Sequence, residues 1–91
     1  MILDEPTASL DIRATHELMT IMRKVASETT IILVTHHLSD IIPEIGRVVL
    51  LRKGQVFRDG PKAEVLRSEP LGELFGMPVE VLERSGFYHL L

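Results

Sequence analysis

The sequence contains no cysteine, no long apolar run and no excess of basic residues. The absence of cysteine excludes a disulfide scaffold and a zinc–thiolate site, and it fits a reducing compartment. No uninterrupted apolar run is longer than the four residues Ile31 to Val34, so no segment could cross a bilayer as a helix. The formal net charge is −3, whereas a duplex-binding module of this size is normally basic. We therefore expect no nucleic-acid partner.

The rest of the composition is typical of a globular chain. Its 91 residues, 45% of them hydrophobic and 25% charged, suffice for at most one small domain with a modest core. The apolar residues Met1 to Leu3 are followed at once by Asp4 and Glu5, so we expect no signal peptide.

The first 35 residues predict two parallel strands joined by a helix. Met1 to Leu3 is typical of the end of a buried strand, and the β-branched run in residues 30–35 is typical of a central strand covered on both faces. Residues 12–26 carry apolar side chains at helical spacing, and either Asp11 or Ser9 can cap this helix. Because the connection is long enough to hold a crossover helix, we expect a βαβ unit.

The remaining residues predict short helices and two hairpins. A helix is expected over residues 38–44, and strands over 47–51 and 55–58 flank the turn residues Lys53 and Gly54. Helical segments are expected over 62–67 and 70–75, and a last hairpin pairs residues 79–83 with 87–90. The predicted fold class is α/β, a parallel sheet followed by β-hairpins and short helices.

Polar side chains follow both predicted parallel strands. Asp4 and Glu5 end the first strand, and Thr35, His36 and His37 end the second. Ligands bind at the carboxyl ends of the strands in open α/β sheets, so these residues form a candidate site. Near phosphates, a carboxylate can hold Mg²⁺ or deprotonate a water, and a histidine can donate to a phosphoryl oxygen. Two alternatives stay open: residues 4–6 could be a simple polar turn, and His36 could cap the next helix.

Two segments of the chain resemble motifs of the ABC-type ATPases. The Walker B motif and D-loop of that family are similar to residues 1–11, MILDEPTASLD. The strand and switch histidine (the H-loop) that follow in the family are similar to residues 31–36, IILVTH, at the expected distance. Residues 47–56 and 59–61 resemble the next hairpin of transporter ATPases, and residues 63–66 resemble the helix after it. The resemblance is most specific over residues 1–66.

This resemblance implies the carboxyl-terminal part of a P-loop NTPase domain that binds ATP and Mg²⁺. In such a domain Asp4 would coordinate Mg²⁺ through water, Glu5 would be the general base, and His36 would contact the γ-phosphate. The D-loop contact with a second nucleotide-binding domain would involve Ser9, Leu10 and Asp11. A transporter ATPase would also bind a membrane permease, and it would lie in the cytoplasm on the inner face of the cell membrane.

Several motifs of the same family do not occur in the 91 residues. There is no G-x-x-x-x-G-K-[ST] phosphate loop and no Leu-Ser-Gly-Gly-Gln signature. Because both precede Walker B in the family, we expect residues 1–91 to be a single partial ATPase domain that is inactive alone. Residues 1–46 would hold the Walker B, D-loop and switch-histidine region, and residues 47–91 would hold the hairpin and helical tail.

Two other readings of the resemblance stay open. Soluble ABC-type ATPases of DNA repair, chromosome maintenance or translation have similar Walker B and D-loop segments. A non-catalytic remnant of the fold could also keep both motifs. The transporter-like hairpin at 47–56 and the lack of coiled-coil heptads or a basic arm favour a transporter ATPase.

Overall fold

A parallel pair of strands joined by one helix forms the first part of the chain. The computed structural model describes residues 1–91. Strand β1 (Ile2–Asp4) pairs in parallel with strand β2 (Ile32–Val34), with Leu3 opposite Leu33. Helix α1 (Ile12–Ala26) lies between them in the chain. The predicted βαβ order and the parallel pairing are therefore confirmed.

Helix α1 begins and ends where the sequence pattern predicts. The side chain of Asp11 accepts a hydrogen bond of 2.8 Å from the backbone N–H of Ala14, which satisfies one free donor of the first turn. Of the two predicted caps, Asp11 is the one used. Met22 is buried at the centre of the apolar face, whereas Ile21, which the spacing also assigns to that face, is 58% exposed.

Two antiparallel hairpins and two short helices follow. Strands β3 (Arg47–Arg52) and β4 (Gln55–Pro61) are joined by Lys53 and Gly54, both with positive φ, as the tight turns of hairpins require. Helices α2 (Lys62–Val65) and α3 (Ser68–Phe75) come next. Strands β5 (Val81–Arg84) and β6 (Phe87–Leu90) form the last hairpin. Both hairpins were predicted, and the helix bounds differ by two residues.

The main hydrophobic core lies in the second half of the chain, not on the parallel strands. Only 8 of 91 residues are buried, so the core is small and the fold has little apolar burial to stabilise it. The buried cluster is formed by residues of the 41–48 segment, α2 and α3: Ile41, Val48, Val65, Leu66 and Leu71. Leu33 of β2 and Tyr88 of β6 pack against this cluster.

Two expectations were wrong in detail. The helix predicted over residues 38–44 is a single 3-10 turn, Leu38–Asp40, because Ile41 is extended and Pro43 cannot donate to a continuing helix. Strand β2 is not covered on both faces within this chain, since Ile32 is 55% and Val34 48% exposed. The face of the parallel pair that carries Ile32 and Val34 is therefore exposed to solvent; this is the open face of the pair.

None of the helices combines the length and the apolar composition needed to span a bilayer.

Candidate functional site

The carboxyl ends of β1 and β2 bring Glu5 and His36 into contact. Asp4 lies opposite Val34 in the parallel register, and the N–H of Glu5 donates a 2.7 Å hydrogen bond to the carbonyl of Val34. The next residues of both strands therefore leave the sheet side by side. There the N–H at Nδ1 of His36 donates to Oε1 of Glu5 over 2.5 Å. The pair predicted from topology is therefore brought together by the parallel sheet.

The two partners differ in their exposure. The side chain of Glu5 is 26% exposed, whereas that of His36 is 87% exposed. The carboxylate is thus partly enclosed, whereas the imidazole bonded to it is almost fully exposed. A ligand approaching this edge of the sheet meets the ring of His36 and one side of Glu5.

Glu5 has a backbone conformation that is unusual for a residue other than glycine. Its φ is +47°, in the left-handed region. Such a conformation costs on the order of 1–3 kcal/mol and persists only where the surrounding structure fixes it. Two bonds fix it here: the N–H of Glu5 donates to Val34, and its carbonyl accepts 3.1 Å from the N–H of Ala8. This backbone conformation turns the chain at the end of β1, where Glu5 is bonded to β2.

A buried carboxyl group is hydrogen-bonded to both loops that carry the pair. Asp40 is 3% exposed, and both of its oxygens accept 2.9 Å hydrogen bonds from the hydroxyl of Thr7. The hydroxyl of Thr35 donates to one of the same oxygens over 2.7 Å. Thr35 also accepts 3.0 Å from the backbone N–H of His37. One side chain therefore joins the loop after β1 to the loop after β2.

The other predicted site residues are spread along the same edge. Asp4 is exposed at the end of β1. Ser9 is exposed with a φ of +69°, and Leu10 is 41% exposed. Asp11 is exposed, but its carboxylate is occupied as the cap of α1. His37 contributes only backbone groups to the local hydrogen bonds: its N–H donates to Thr35, and its carbonyl accepts 3.0 Å from the N–H of Asp40.

No three His, Asp or Glu side chains are grouped so as to hold a metal ion by themselves. Asp4 offers a single exposed carboxylate. Magnesium is commonly held by one or two carboxylates together with water and substrate phosphates, so one carboxylate at this edge fits such an ion.

Ion pairing and burial shift the pKa of three residues in the β3–β4 hairpin and α2. The hydrogen-bonded guanidinium of Arg47 lowers the pKa of Asp59, and the same bond raises the pKa of Arg47. Burial lowers the pKa of Lys62, whose ammonium donates to the carbonyl of Pro43 over 3.0 Å.

Two shallow clefts also lie elsewhere, with volumes of about 570 and 460 Å³. The larger adjoins β4 and α3, and the smaller adjoins α1 and Phe87; neither is lined by Asp4, Glu5 or His36. The candidate site therefore lies outside both of these clefts.

Sequence reasoning missed Asp40 and the hydroxyl of Thr7. A signal for Asp40 was present, because it is the one charged residue in an otherwise apolar and small segment, Leu38 to Ile42. A charged residue within an apolar segment is rarely buried unless it is paired, so the position of Asp40 indicates a hydrogen-bonding partner elsewhere in the fold. The donor on Thr7 is 33 residues away, and no local pattern indicates it.

No protein-family model matches the chain. The chain is 39% identical over 84 residues to the hemin import ATP-binding protein HmuV of Rhodococcus jostii, covering 91% of this chain and 29% of the relative. It is 35% identical over 92 residues to the vitamin B12 import ATP-binding protein BtuD of Vibrio cholerae, covering 100% of this chain and 37% of the relative. The chain therefore spans about a third of the length of these relatives.

The fold has a counterpart among solved structures. It matches a chain of an ABC transporter in an inward-facing conformation, provisionally assigned to the metal-chelate type, with a TM-score of 0.80 and 25% identity. The match covers 99% of this chain and 38% of the solved one. The arrangement of strands and helices described above thus occurs as one part of a larger chain.

Proposed function

Because this chain is homologous to about a third of an ABC transporter ATP-binding protein, we propose that it supplies the residues of such an ATPase that promote attack of water on ATP. The observation that carries the proposal is the contact of Glu5 with His36 at the carboxyl ends of two parallel strands. Residues 1–91 would form part of one ATPase domain, with the site in residues 1–46 and the hairpins and helical tail in residues 47–91.

Glu5 is the proposed general base. Its carboxylate is partly enclosed, its backbone is fixed by Val34, and His36 holds one of its oxygens. The second oxygen of the carboxylate remains available to accept a proton from a water that attacks the γ-phosphorus. General-base catalysis of this kind contributes roughly 10²–10⁴-fold to a rate.

His36 is proposed to orient Glu5 and to contact the γ-phosphate. The ring is 87% exposed, so a phosphoryl oxygen can approach its other nitrogen, Nε2, which donates to that oxygen when the ring carries both protons. A donor directed at oxygens that gain charge in the transition state stabilises that state more than the ground state.

Asp4 is the proposed residue for magnesium, held through water. Magnesium would neutralise charge on the nucleotide phosphates when it is bound. Asp4 suits this role because it is exposed and lies next to Glu5 in the chain. The nucleotide is proposed to be ATP.

The D-loop residues Ser9, Leu10 and Asp11 are proposed to contact a second nucleotide-binding domain. Ser9 and Leu10 are exposed and available for this, whereas the carboxylate of Asp11 is engaged with α1 and would contribute through the conformation of the loop. The larger assembly would include a membrane permease, which would place the domain in the cytoplasm against the inner face of the cell membrane.

The proposal needs a protein that can hold a nucleotide, because residues 1–91 contain no phosphate loop. We define the composite ATPase as the Vibrio cholerae vitamin B12 import ATP-binding protein with its matching segment replaced by residues 1–91. In it, Glu5→Gln keeps the shape of the side chain but cannot take a proton. We expect ATP binding to persist and turnover to fall by about 10²–10⁴-fold. The matched control is Glu17→Gln, since Glu17 is an exposed residue of α1 paired only with Arg13.

Steady-state phosphate release at saturating Mg-ATP measures turnover, and a nucleotide-binding titration measures affinity. Turnover by Glu5→Gln near that of Glu17→Gln would place the base at another residue. An unsubstituted composite ATPase that binds ATP without hydrolysing it would also contradict the proposed function.

A further inference from the structure

Asp40 is the most buried charged residue of the chain, and none of the roles above uses it. It is 3% exposed and lies in the 3-10 turn directly before the core residues Ile41 and Ile42. Burial of a carboxyl group is unfavourable unless hydrogen bonds compensate for the lost water. Two threonine hydroxyls provide that compensation, with the Thr7 hydroxyl shared between both carboxyl oxygens, and no buried polar side-chain atom is left without a partner.

Both donors belong to the loops that carry the candidate site. Thr7 follows Glu5 by two residues, and Thr35 immediately precedes His36. Their hydroxyls lie 2.9 and 2.7 Å from the same carboxyl oxygen of Asp40. A single buried side chain thus bridges the two loops, in addition to the backbone bond from the N–H of Glu5 to Val34.

Other contacts between the two loops do not replace this one. Above Asp40, the side-chain link is the contact between Glu5 and an imidazole that is 87% exposed. A long exposed side chain is held weakly, because water competes for it and it keeps much of its rotational freedom. A buried acceptor with two donors is the stiffer connection.

We propose that Asp40 is a positioning residue that holds Glu5 and His36 in the geometry needed for attack of water on the γ-phosphate. This inference rests on the proposed function. Asp40 touches neither the nucleotide nor the water; it acts through Thr7 and Thr35. Reacting groups misplaced by about 1 Å can lose on the order of 10²-fold in rate, so the effect falls on turnover and not on nucleotide affinity.

The test compares variants of the composite ATPase. Asp40→Ala should lower kcat by about 10–100-fold and leave KM for Mg-ATP within about threefold. Thr7→Val removes one donor and should lower kcat by a smaller factor, and Thr7→Ser, which restores the hydroxyl, should recover it. The control is Ser39→Ala, in the same 3-10 turn, because Ser39 is exposed. A kcat for Asp40→Ala within twofold of Ser39→Ala overturns the proposal.

A second measurement separates positioning from simple stabilisation. Amide hydrogen exchange of Thr7→Val should become faster in residues 5–10 and 35–37 and remain unchanged in the β3–β4 hairpin. Faster exchange throughout the chain would show that the hydroxyl only stabilises the fold, and it would overturn the proposal. This readout needs no turnover, so it also decides the matter if Asp40→Ala does not fold.

The Glu5→Gln variant separates the two hypotheses. If Glu5→Gln is inactive while Asp40→Ala and Thr7→Val turn over normally, the proposed function stands and the role of Asp40 falls. If Glu5→Gln hydrolyses ATP at a near-normal rate, the proposed function falls whatever Asp40 does.

Discussion

Nδ1 of His36 lies 2.5 Å from Oε1 of Glu5, whereas its neighbour His37 bonds to the site only through its backbone N–H and carbonyl. Adjacent residues at the end of a strand point to different sides, so two identical rings have different surroundings. We predict that His36→Ala lowers the turnover of the composite ATPase by about 10²–10³-fold. His37→Ala, the matched control, should retain most of the activity.

Steady-state turnover at saturating Mg-ATP distinguishes the two histidine variants. Nucleotide affinity should be kept in both, because the phosphate loop of the composite ATPase holds the nucleotide. If His37→Ala were the inactive variant, the role assigned to His36 would have to be withdrawn.

The isolated 91-residue chain should not hydrolyse ATP. Glu5 and His36 can act only on a phosphate that is held in place, and residues 1–91 contain no phosphate loop. Phosphate release from Mg-ATP by the purified chain measures this, with Glu5→Gln as the control for contamination. Turnover by the chain that disappears in Glu5→Gln would contradict the prediction.

The isolated chain should associate through the open face of its parallel strands. Ile2, Ile32 and Val34 are 72%, 55% and 48% exposed on these two short strands, and both outer edges of the pair are free. Exposed apolar strands with free edges pair with other chains. Ile32→Thr keeps a β-branched residue and should reduce association, whereas Ile12→Thr, at an exposed helix position, should not.

Light scattering over a range of concentrations measures this association. Equal association of the two variants would place the contact elsewhere. A monodisperse monomer with a sharp thermal transition would show that the open face needs no partner.

Gly86 should tolerate alanine less well than Gly54. Both glycines have positive φ, +85° and +76°, so both substitutions carry backbone strain. A Cβ on Gly86 would lie 2.8 Å from Cβ of Pro43, whereas a Cβ on Gly54 would meet nothing within 4 Å. We expect Gly86→Ala to cost about 1–3 kcal/mol more in unfolding free energy. Equal midpoints of denaturant unfolding would mean that the last hairpin does not pack against Pro43 in solution.

Local sequence patterns predicted those helices and hairpins that are determined by their own residues. Helix α1 begins after Asp11 because the capping side chain and the apolar period lie within its own residues. The two hairpins were predicted because each turn, Lys53–Gly54 and Ser85–Gly86, ends in a glycine, which accepts positive φ without strain. The contact of Glu5 with His36 was also predictable, because parallel strands bring their carboxyl ends to one edge.

The errors lie where distant residues decide the structure. The segment after His37 has the composition of a helix, yet it forms one turn because Pro43 lies near its end and Asp40 is bonded to Thr7 and Thr35. The run Ile31 to Val34 is apolar on both faces, but only the face of Leu33 meets the core. Pro43 belongs to the segment itself, but the partners of Asp40 and of Leu33 do not follow from the residues of either segment alone.

The bonds of the candidate site join residues far apart in the chain, and this bears on the order of folding. Thr7 is separated from Asp40 by 33 residues and Glu5 from His36 by 31, whereas each hairpin pairs residues on either side of one turn. Contacts between near neighbours form first, because they close shorter loops. The hairpins and helices should therefore form early and the site last. On partial unfolding the chain would lose the geometry of the candidate site while most of its secondary structure was still intact.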